Sequence, residues 1–415
     1  MVLLKAVPLP RSSLDDYAPF VGFEAVEVLR AEASDLEGSR VLHISSTPYG
    51  GGVAELLYTI VPLMRDLGLD ADWFVLDRDD DFFTVTKILH NALQGMGAEW
   101  VPEMTEKYFA VNEANAEAFL NDYEFVIVHD PQPAAIPMFL DRSSGRLGQW
   151  VWRCHLDLSA PVVEAWRFIE GLLDHYSAAV FTTAAYIPED LGIPGFIIAP
   201  SIDPTSPKNI PLSLEIAASV VARYGVDPAK PYLLQVSRFD PWKDPIGVIE
   251  AYLLARAAIP DLQLVLIGSM AEDDPEGFYY FQKASRRAEG LDGVFLLTNA
   301  HGIGNVGVNA FQVAADVVLQ KSIREGFGLT VSEALWKGKA VVAGNVGGIP
   351  LQVSDGTSGF LVDSVEECAE KVLLLLNDPG LRESFGRAGR ETVRRGFLTT
   401  RHVLDYLHLF KSLGR

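Results

Sequence analysis

One stretch of the chain links a predicted strand to a predicted helix and carries two carboxylates: Ser322-Ile323-Arg324-Glu325-Gly326-Phe327-Gly328-Leu329-Thr330-Val331-Ser332-Glu333. It follows an apolar run at 314–319, and the helix is predicted to end at Gly338. A glycine-containing turn at a helix start offers backbone N–H groups to a phosphate. A carboxylate beside a phosphate would repel it, so Glu325 is predicted to bind hydroxyls or to balance positive charge. The stretch alone is also compatible with an ordinary turn carrying two solvated glutamates.

Composition limits the class of protein and its partners. The 415 residues suit two domains of roughly 150–200 residues each. A net charge of −21 argues against nucleic acid or an anionic membrane surface as the main partner, because both need a basic face. A small anionic ligand remains compatible if a few cations gather around it. The candidates for that cluster are Arg238, Lys243, Lys321 and Arg324.

The cysteine content and the apolar runs of the sequence argue against disulfide-rich, zinc-binding and membrane-spanning proteins. Cys154 and Cys368 are the only cysteines, which excludes a disulfide framework and disfavours a structural zinc site. The first residues do not resemble a signal peptide, and no apolar run approaches the ~20 residues of a membrane span. We therefore predict a soluble cytoplasmic protein without a membrane partner.

The first half predicts alternating strands and helices after an extension at 1–38. The extension contains a helical pattern at 23–33, interpreted as a packing or dimerisation helix, which leaves a homodimer open. The predicted strands lie at 40–45, 72–76, 125–128, 150–152, 178–182 and 195–198. The first strand runs into Gly50, Gly51 and Gly52, where the backbone can approach a ligand closely.

Two groups of polar residues lie near the helix that is predicted after the strand at 72–76. The first group precedes this helix, and the second lies on it. Asp79 and Asp81 form a DxD pattern, which we interpret as an acidic helix cap and not as a metal site. No metal ligands are therefore predicted. Lys87, His90 and Asn91 recur at helical spacing and share one face, which is either a solvated surface or a site for sugar hydroxyls.

Polar residues also follow two strands at their carboxyl ends, where open α/β sheets bind ligands. Asp130 follows the strand at 125–128, and Arg153, His155 and Asp157 follow the strand at 150–152. A lone histidine is usually structural. The neighbours of His155 make a functional role equally compatible with the pattern.

A proline-rich segment at 199–211 is the best predicted domain boundary. The strand–helix pattern then restarts, with strands predicted at 231–237, 262–267, 293–297, 314–319, 339–343 and 359–362. This alternation predicts parallel sheets with right-handed crossovers. Two such halves predict a ligand cleft between them.

The second half resembles the retaining glycosyltransferases of GT-B fold. The shared features are Arg238 and Lys243 after the first strand, Glu325 and Glu333 with Gly326-Phe327-Gly328, and Gly347-Gly348-Ile349-Pro350. The first half resembles the trehalose glycosyltransferring synthases, which are related to the retaining trehalose phosphorylases. That likeness rests on Thr47-x-Tyr49-Gly50-Gly51-Gly52-Val53-Ala54-Glu55, Phe82-Phe83-x-Val85-Thr86-Lys87, His90-Asn91-Ala92-Leu93-Gln94-Gly95, His129-Asp130-Pro131-Gln132-Pro133 and Trp152-Arg153-Cys154-His155-Leu156-Asp157.

The resemblance implies two Rossmann-like domains, at 1–205 and 206–397, and a last helix within 398–415 that packs back on the first domain. It implies reversible transfer of glucose from a nucleoside diphosphate glucose (UDP, ADP or GDP) to glucose. The product is α,α-trehalose, the anomeric configuration is retained, and no cofactor or metal is required.

On the donor side, the resemblance implies that Arg238 and Lys243 neutralise the departing diphosphate. Glu325 would bind donor-glucose hydroxyls, and Glu333 would bind the ribose hydroxyls. Asn299 would lie near the base. The backbone at Gly51 and Gly52 and the turn of Gly326, Phe327, Gly328 and Leu329 complete the implied donor site.

On the acceptor side, His155 would contact the donor sugar near the reaction centre. Asp130, Arg153 and Asp157 would orient the acceptor, with Lys87, His90 and Asn91 as a secondary group.

Three other interpretations remain. A trehalose phosphorylase would use phosphate in place of the nucleoside diphosphate and leave Glu333 without a ribose. A retaining hydrolase would use Glu325 and Glu333 but leave Arg238 and Lys243 without a role. A non-enzymatic two-domain sugar-binding protein usually carries an export signal, which this sequence does not show.

Overall fold

The computed structural model describes residues 4–97, 99–117, 119, 122–140, 148–268 and 275–414. The chain divides into a first unit, Met1–Ser201 with Thr399–Arg415, and a second unit, Ile202–Leu398. The division falls inside the proline-rich segment at 199–211, a few residues before the boundary expected at 205.

The first unit is built on a sheet with the strand order β1-β3-β2-β4-β5-β6-β7 in its described residues. These strands are β1 (Lys5–Ala6), β2 (Arg40–Ser45), β3 (Asp70–Val75), β4 (Phe125–His129), β5 (Gln149–Arg153), β6 (Ala178–Phe181) and β7 (Gly195–Ile197). From β2 onward every pairing is parallel. The prediction of an all-parallel sheet is wrong at one edge, because β1, inside the predicted extension, pairs antiparallel with β3.

Helices cover both faces of this sheet. They are α1 (Ala18–Val21), α2 (Phe23–Ala33), α3 (Gly52–Asp66), α4 (Asp80–Leu93), α5 (Pro102–Ala116) and α6 (Val163–Leu173). On β2, Val41 packs into one buried cluster, whereas Leu42 and Ile44 pack into the other. This alternation follows from the two-residue period of a strand. The packing role predicted for α2 is confirmed by its buried Val26 and Leu29.

The second unit has a six-stranded sheet in its described residues, with every pairing parallel. Its strands are β8 (Tyr232–Val236), β9 (Gln263–Gly268), β10 (Val294–Thr298), β11 (Val317–Gln320), β12 (Ala340–Gly344) and β13 (Gly359–Val362). Their order, β10-β9-β8-β11-β12-β13, is that of a doubly wound dinucleotide-binding sheet. The order reverses between β8 and β11, which is where such sheets bind ligands.

The helices of the second unit follow its strands in alternation. They are α7 (Leu214–Ala222), α8 (Pro245–Arg256), α9 (Pro275–Ala288), α10 (Asn305–Ala314), α11 (Leu329–Trp336), α12 (Val365–Asn377) and α13 (Pro379–Gly396). The last helix, α14 (Thr399–Leu413), belongs to the first unit. Val403, Tyr406 and Phe410 of α14 are buried in the core of that unit beside α2 and α3.

Candidate functional site

The second unit places two loops side by side at its strand-order reversal. One loop, 237–244, leaves the carboxyl end of β8, and the other, 321–328, leaves the carboxyl end of the adjacent strand β11. The sequence predicted the residues of this region but not the pairing of these two strands. The pairing is what brings Lys243 and Glu325 together.

Lys243 and Glu325 meet where these loops adjoin. The ammonium of Lys243 donates to Glu325 Oε2 over 2.6 Å. The same oxygen accepts from Ser322 Oγ at 3.0 Å and from the Gln320 amide at 3.3 Å. Glu325 is only 8% exposed, so this cluster holds its carboxylate in one orientation.

Three further contacts join the two loops. Lys321 forms an ion pair with Asp244, the N-cap residue of α8. The backbone N–H of Ile323 donates to the carbonyl of Trp242 over 2.8 Å, and the guanidinium of Arg324 lies 5.5 Å from the centroid of the Trp242 ring. Lys321 and Arg324, both predicted members of a cation cluster, therefore have structural contacts here.

Arg238 is more exposed than the other predicted cations of this site. More than half of its side chain is exposed, and it pairs with Asp240 at 3.0 Å. Asp240 is buried and also accepts the backbone N–H of Lys243 at 3.0 Å. Asp240 thus fixes the turn that carries Lys243, while the guanidinium of Arg238 remains accessible to an anion.

The helix that follows Glu325 begins without a side-chain cap. Gly328, its N-cap residue, has φ +83°, a conformation that favours glycine. Leu329 starts α11, and Gly326 is half-buried on the preceding turn. Phe327 anchors the turn by packing its ring 5.5 Å from that of Phe397. The predicted glycine-containing turn and helix start are therefore present without a side-chain cap, and their role as a phosphate site stays a prediction.

Glu333, the second carboxylate of the donor motif, is buried inside the second unit next to a cation. It is fully buried on α11, its Oε1 lies 2.8 Å from Lys208 Nζ, and its Oε2 accepts from the Gln312 amide at 3.0 Å. Burial opposes ionisation, but Lys208 and Lys337 outweigh it and hold the pKa of Glu333 below its usual value. Both carboxylate oxygens thus have partners inside the unit, and the ribose role of Glu333 stays a prediction.

Asn299 directly follows β10, the edge strand of the second sheet. It is exposed in a short turn directly after β10, and β9 separates β10 from β8 in the sheet. Its role at a base stays a prediction.

In the first unit, the glycine-rich turn stands at the corresponding reversal between β2 and β4. Gly50 and Gly51 have φ of +70° and +83°, and an added Cβ at either would meet nothing within 4 Å. Gly51 is the N-cap of α3, which begins at Gly52. The turn thus presents accessible backbone, as predicted for a close approach to a ligand.

His155 and Asp130 lie together at the carboxyl ends of β4 and β5. Asp130 Oδ1 accepts the backbone N–H of His155 at 2.8 Å. Burial raises the pKa of Asp130 to about 6 and lowers that of His155 well below its usual value. Both side chains are half-buried at the end of the strands, so these two candidate residues lie together, and their roles stay predictions.

Arg153 and Asp157 are both buried and hydrogen-bonded within the first unit. Arg153 is fully buried, and its guanidinium donates to the carbonyls of Cys154, Val180 and Ile198. These partners enclose its charge inside the unit, and its role in orienting the acceptor stays a prediction. Asp157 is 3% exposed and accepts from the backbone N–H and hydroxyl of Ser159.

Helix α4 carries the predicted secondary group. Lys87, His90 and Asn91 are half-buried on this helix. Asp79 accepts the backbone N–H of Phe82 at 2.9 Å as the N-cap of α4, so the capping interpretation of the DxD pattern is confirmed. Across the described ranges, no three His, Cys, Asp or Glu side chains come together to hold a metal ion.

Several polar residues at the site were not singled out from the sequence. Gln235 links the loops by donating to the Lys243 carbonyl and accepting the Lys321 N–H. Gln320 and Ser322 support Glu325, and His43 contacts His129. In the sequence, each of them is a polar residue in or beside an apolar strand. This pattern could have identified them, because a buried polar group needs a partner.

No helix in the part of the chain that the structure describes combines the length and apolar character needed to cross a membrane.

The chain is similar to known proteins over its whole length. Residues 43–188 match the family "Trehalose synthase, N-terminal domain", and residues 220–392 match "Glycosyl transferases group 1". A trehalose synthase of Rubrobacter xylanophilus is 46% identical, covering 99% of both chains. A trehalose phosphorylase of Pleurotus pulmonarius is 27% identical over 84% of this chain and 54% of its own length.

Solved structures agree on the architecture. A sucrose-phosphate synthase of Thermosynechococcus elongatus has a TM-score of 0.70 at 20% identity, covering 91% of this chain and 99% of that one. The two parallel-sheet α/β units are those of a GT-B glycosyltransferase. The chain belongs to the trehalose synthase family.

Proposed function

We propose that this protein is a retaining glucosyltransferase that makes α,α-trehalose reversibly from a nucleoside diphosphate glucose and glucose. The observation that carries the proposal is the Lys243–Glu325 contact of 2.6 Å at the strand-order reversal of the second sheet. The contact supports the proposal because an ammonium suits a phosphate and a carboxylate suits sugar hydroxyls. Membership of the trehalose synthase family supplies the sugar chemistry.

The leaving group is a diphosphate, and its charge grows as the bond to the sugar breaks. Arg238 and Lys243 neutralise that charge, aided by the N-terminal backbone N–H groups of α11. Fixed cations in such a site supply several kcal/mol of transition-state stabilisation. These groups perform the task that a metal ion would otherwise perform, so the proposed reaction needs no metal or other cofactor.

The proposed reaction breaks one bond at the donor sugar and forms one, and it needs no covalent intermediate between the sugar and the enzyme. The bond between donor C1 and the phosphate oxygen breaks, and a bond from C1 to the acceptor hydroxyl oxygen forms on the same face. The acceptor hydroxyl proton passes to the departing phosphate oxygen. Glu325 binds hydroxyls of the donor glucose and balances the positive charge that develops on its ring.

The first unit supplies the remaining proposed contacts. His155 contacts the donor sugar, and the backbone at Gly51 and Gly52 approaches the donor. Asp130 and Asp157 orient the acceptor glucose, with Lys87, His90 and Asn91 beside it. Arg153 is left out of this set because it is fully buried.

One observation favours a second candidate, phosphorolysis of trehalose. A phosphorylase needs no ribose contact, and the Glu333 carboxylate already has Lys208 and Gln312 as partners. The synthase remains the better-supported function because the synthase relative matches this chain from end to end. The same burial of Glu333 argues against a hydrolase that uses Glu325 and Glu333 as its pair.

The forward reaction tests the proposal. The protein is incubated with glucose and with UDP-, ADP- or GDP-glucose labelled at C1 with ¹³C, with EDTA present, and the product is identified by NMR. We expect α,α-trehalose labelled in one ring from at least one donor. A β configuration at the labelled carbon would refute retention. Disaccharide formed from α-glucose 1-phosphate but from none of the nucleotide sugars would establish the phosphorylase instead.

A further inference from the structure

Three histidines of the first unit form a continuous hydrogen-bonded row from its core to its candidate site. His43 Nδ1 lies 2.9 Å from His129 Nε2, and His129 Nδ1 lies 3.0 Å from His155 Nε2. The rings are stacked, with centroids 5.2 and 5.3 Å apart. The residues come from β2, β4 and the end of β5, three neighbouring strands. His43 and His129 are buried, and His155 is half-buried at the open end.

The row is electrically neutral because of its surroundings. Burial lowers the pKa of all three imidazoles, that of His43 to about 3. The enclosed guanidinium of Arg153 lowers the pKa of His129 and His155 further. A neutral imidazole carries one N–H and one acceptor nitrogen. If one ring donates its N–H to the next ring, the other hydrogen bond in the row must therefore run in the same direction.

The buried end of the row selects between the two directions. His43 Nε2 is buried and has no hydrogen-bond partner among the described residues. If the row donated inward, this nitrogen would carry an orphaned buried N–H, which is rarer in proteins than an unsatisfied acceptor. If the row donates outward, the N–H groups lie on the three Nδ1 atoms. The last of them, on His155, then lies at the half-buried end.

We propose that His43 and His129 are positioning residues that hold His155 in the tautomer protonated at Nδ1. His155 then always presents an N–H donor, and never a bare acceptor nitrogen, to a substrate oxygen. The sugar contact of His155 rests on the proposed function, whereas the tautomer itself does not. Arg153 has a role here as a buried cation that adds to the effect of burial and favours the neutral forms of His129 and His155.

The tautomers are measured directly on the unliganded protein. The eight histidines are labelled with ¹⁵N, and long-range ¹H–¹⁵N spectra at pH 7.5 show which ring nitrogen carries the proton. The signals are assigned from His155→Asn and His43→Phe. We expect protons on the Nδ1 atoms of His43, His129 and His155. A proton on Nε2 of His155 or of His43 would overturn the proposal, whatever reaction the protein catalyses.

Variants test whether the row acts on catalysis. His43→Phe removes the donor at the buried end, so His155 should lose its single tautomer and kcat should fall roughly tenfold with little change in KM. His43→Asn restores a donor near the Nδ1 position and should recover much of kcat. The control is His402→Phe, at a buried histidine of the same unit bonded to Ser201 instead of to the row. An unchanged kcat in His43→Phe, or an equal loss in His402→Phe with the His155 tautomer intact, would refute the positioning role.

Discussion

Asp130 holds an unusual backbone conformation beside the candidate acceptor site. Its φ is +65°, and Asp244 is the other non-glycine residue with positive φ in the described ranges. Such backbone conformations persist where the surrounding structure enforces them, and they often occur at functional sites. Here the enforcing contact is the hydrogen bond from the backbone N–H of His155 to Asp130 Oδ1.

Replacing Asp130 by Asn should stabilise the protein at neutral pH. Burial raises the pKa of Asp130 to about 6, so the folded state binds a proton more tightly than the unfolded state does. The protonated Asp130 side chain therefore stabilises the folded state at low pH, and this contribution is lost as the pH rises through about 6. Asn keeps the acceptor oxygen without the charge. We expect a gain of roughly 1–2 kcal/mol in the free energy of unfolding at pH 7.5.

Urea unfolding at several pH values measures this effect. The gain should shrink as pH falls from 7 to 4, and Asp261→Asn, at a largely exposed residue, should give no such trend. A gain that is independent of pH would mean that relief of backbone strain, and not of buried charge, is responsible.

Glu325 and Lys243 touch each other but should differ in what they bind. Glu325→Ala should lower kcat by about 10²-fold or more, yet leave the binding of the nucleoside diphosphate close to that of the wild type. Lys243→Ala should weaken nucleotide binding as well, because it removes charge from the phosphate site. Calorimetric titration with UDP, ADP and GDP, together with steady-state kinetics, separates the two effects.

The control for this pair is Lys230→Ala, which removes an exposed cation paired with Asp261. It should leave both nucleotide binding and kcat unchanged. Equal losses of nucleotide binding in Glu325→Ala and Lys243→Ala would contradict the sugar-side role of Glu325.

At the scale of elements, the turn that carries Glu325 is supported by the loop after β12. The backbone N–H of Gly348 donates to the carbonyl of Glu325 at 3.3 Å. A Cβ on Gly348 would lie 2.7 Å from the carbonyl oxygen of Gly326 and 2.8 Å from the Cα of Phe327. The Gly347-Gly348-Ile349-Pro350 motif therefore brings the backbone of Gly348 into contact with the backbone of the turn that carries Glu325. This close approach requires glycine at position 348.

Gly348→Ala should displace this turn and reduce activity although residue 348 bears no reactive group. Because the clash is with backbone, we expect a loss of about 1–3 kcal/mol in folding stability and a lower kcat. Gly396→Ala, at a position where a Cβ meets nothing within 4 Å, is the control and should alter neither. Thermal unfolding and initial rates measure both, and a fully active Gly348→Ala variant would contradict the supporting role.

At the scale of the whole chain, periodicity and turn residues predicted the strands of both sheets to within a few residues. The two-residue strand β1 was not predicted, because so short a strand has no period. Nor could the sequence show that Lys208 meets Glu333, or that carbonyls on β6 and after β7 enclose Arg153. Those partners are distant in sequence, and only the folded sheets bring them together. The Lys243–Glu325 contact depends in the same way on β8 pairing with β11.

The proposed reaction runs in both directions, and its reverse gives the most direct test of the central claim. The protein is incubated with trehalose and, in separate reactions, with UDP, ADP, GDP or inorganic phosphate, and the products are separated by anion-exchange chromatography. We predict a nucleoside diphosphate glucose and free glucose from at least one nucleotide, and no glucose 1-phosphate from phosphate alone. Glucose 1-phosphate from phosphate, with no sugar nucleotide in any reaction, would contradict the proposed function.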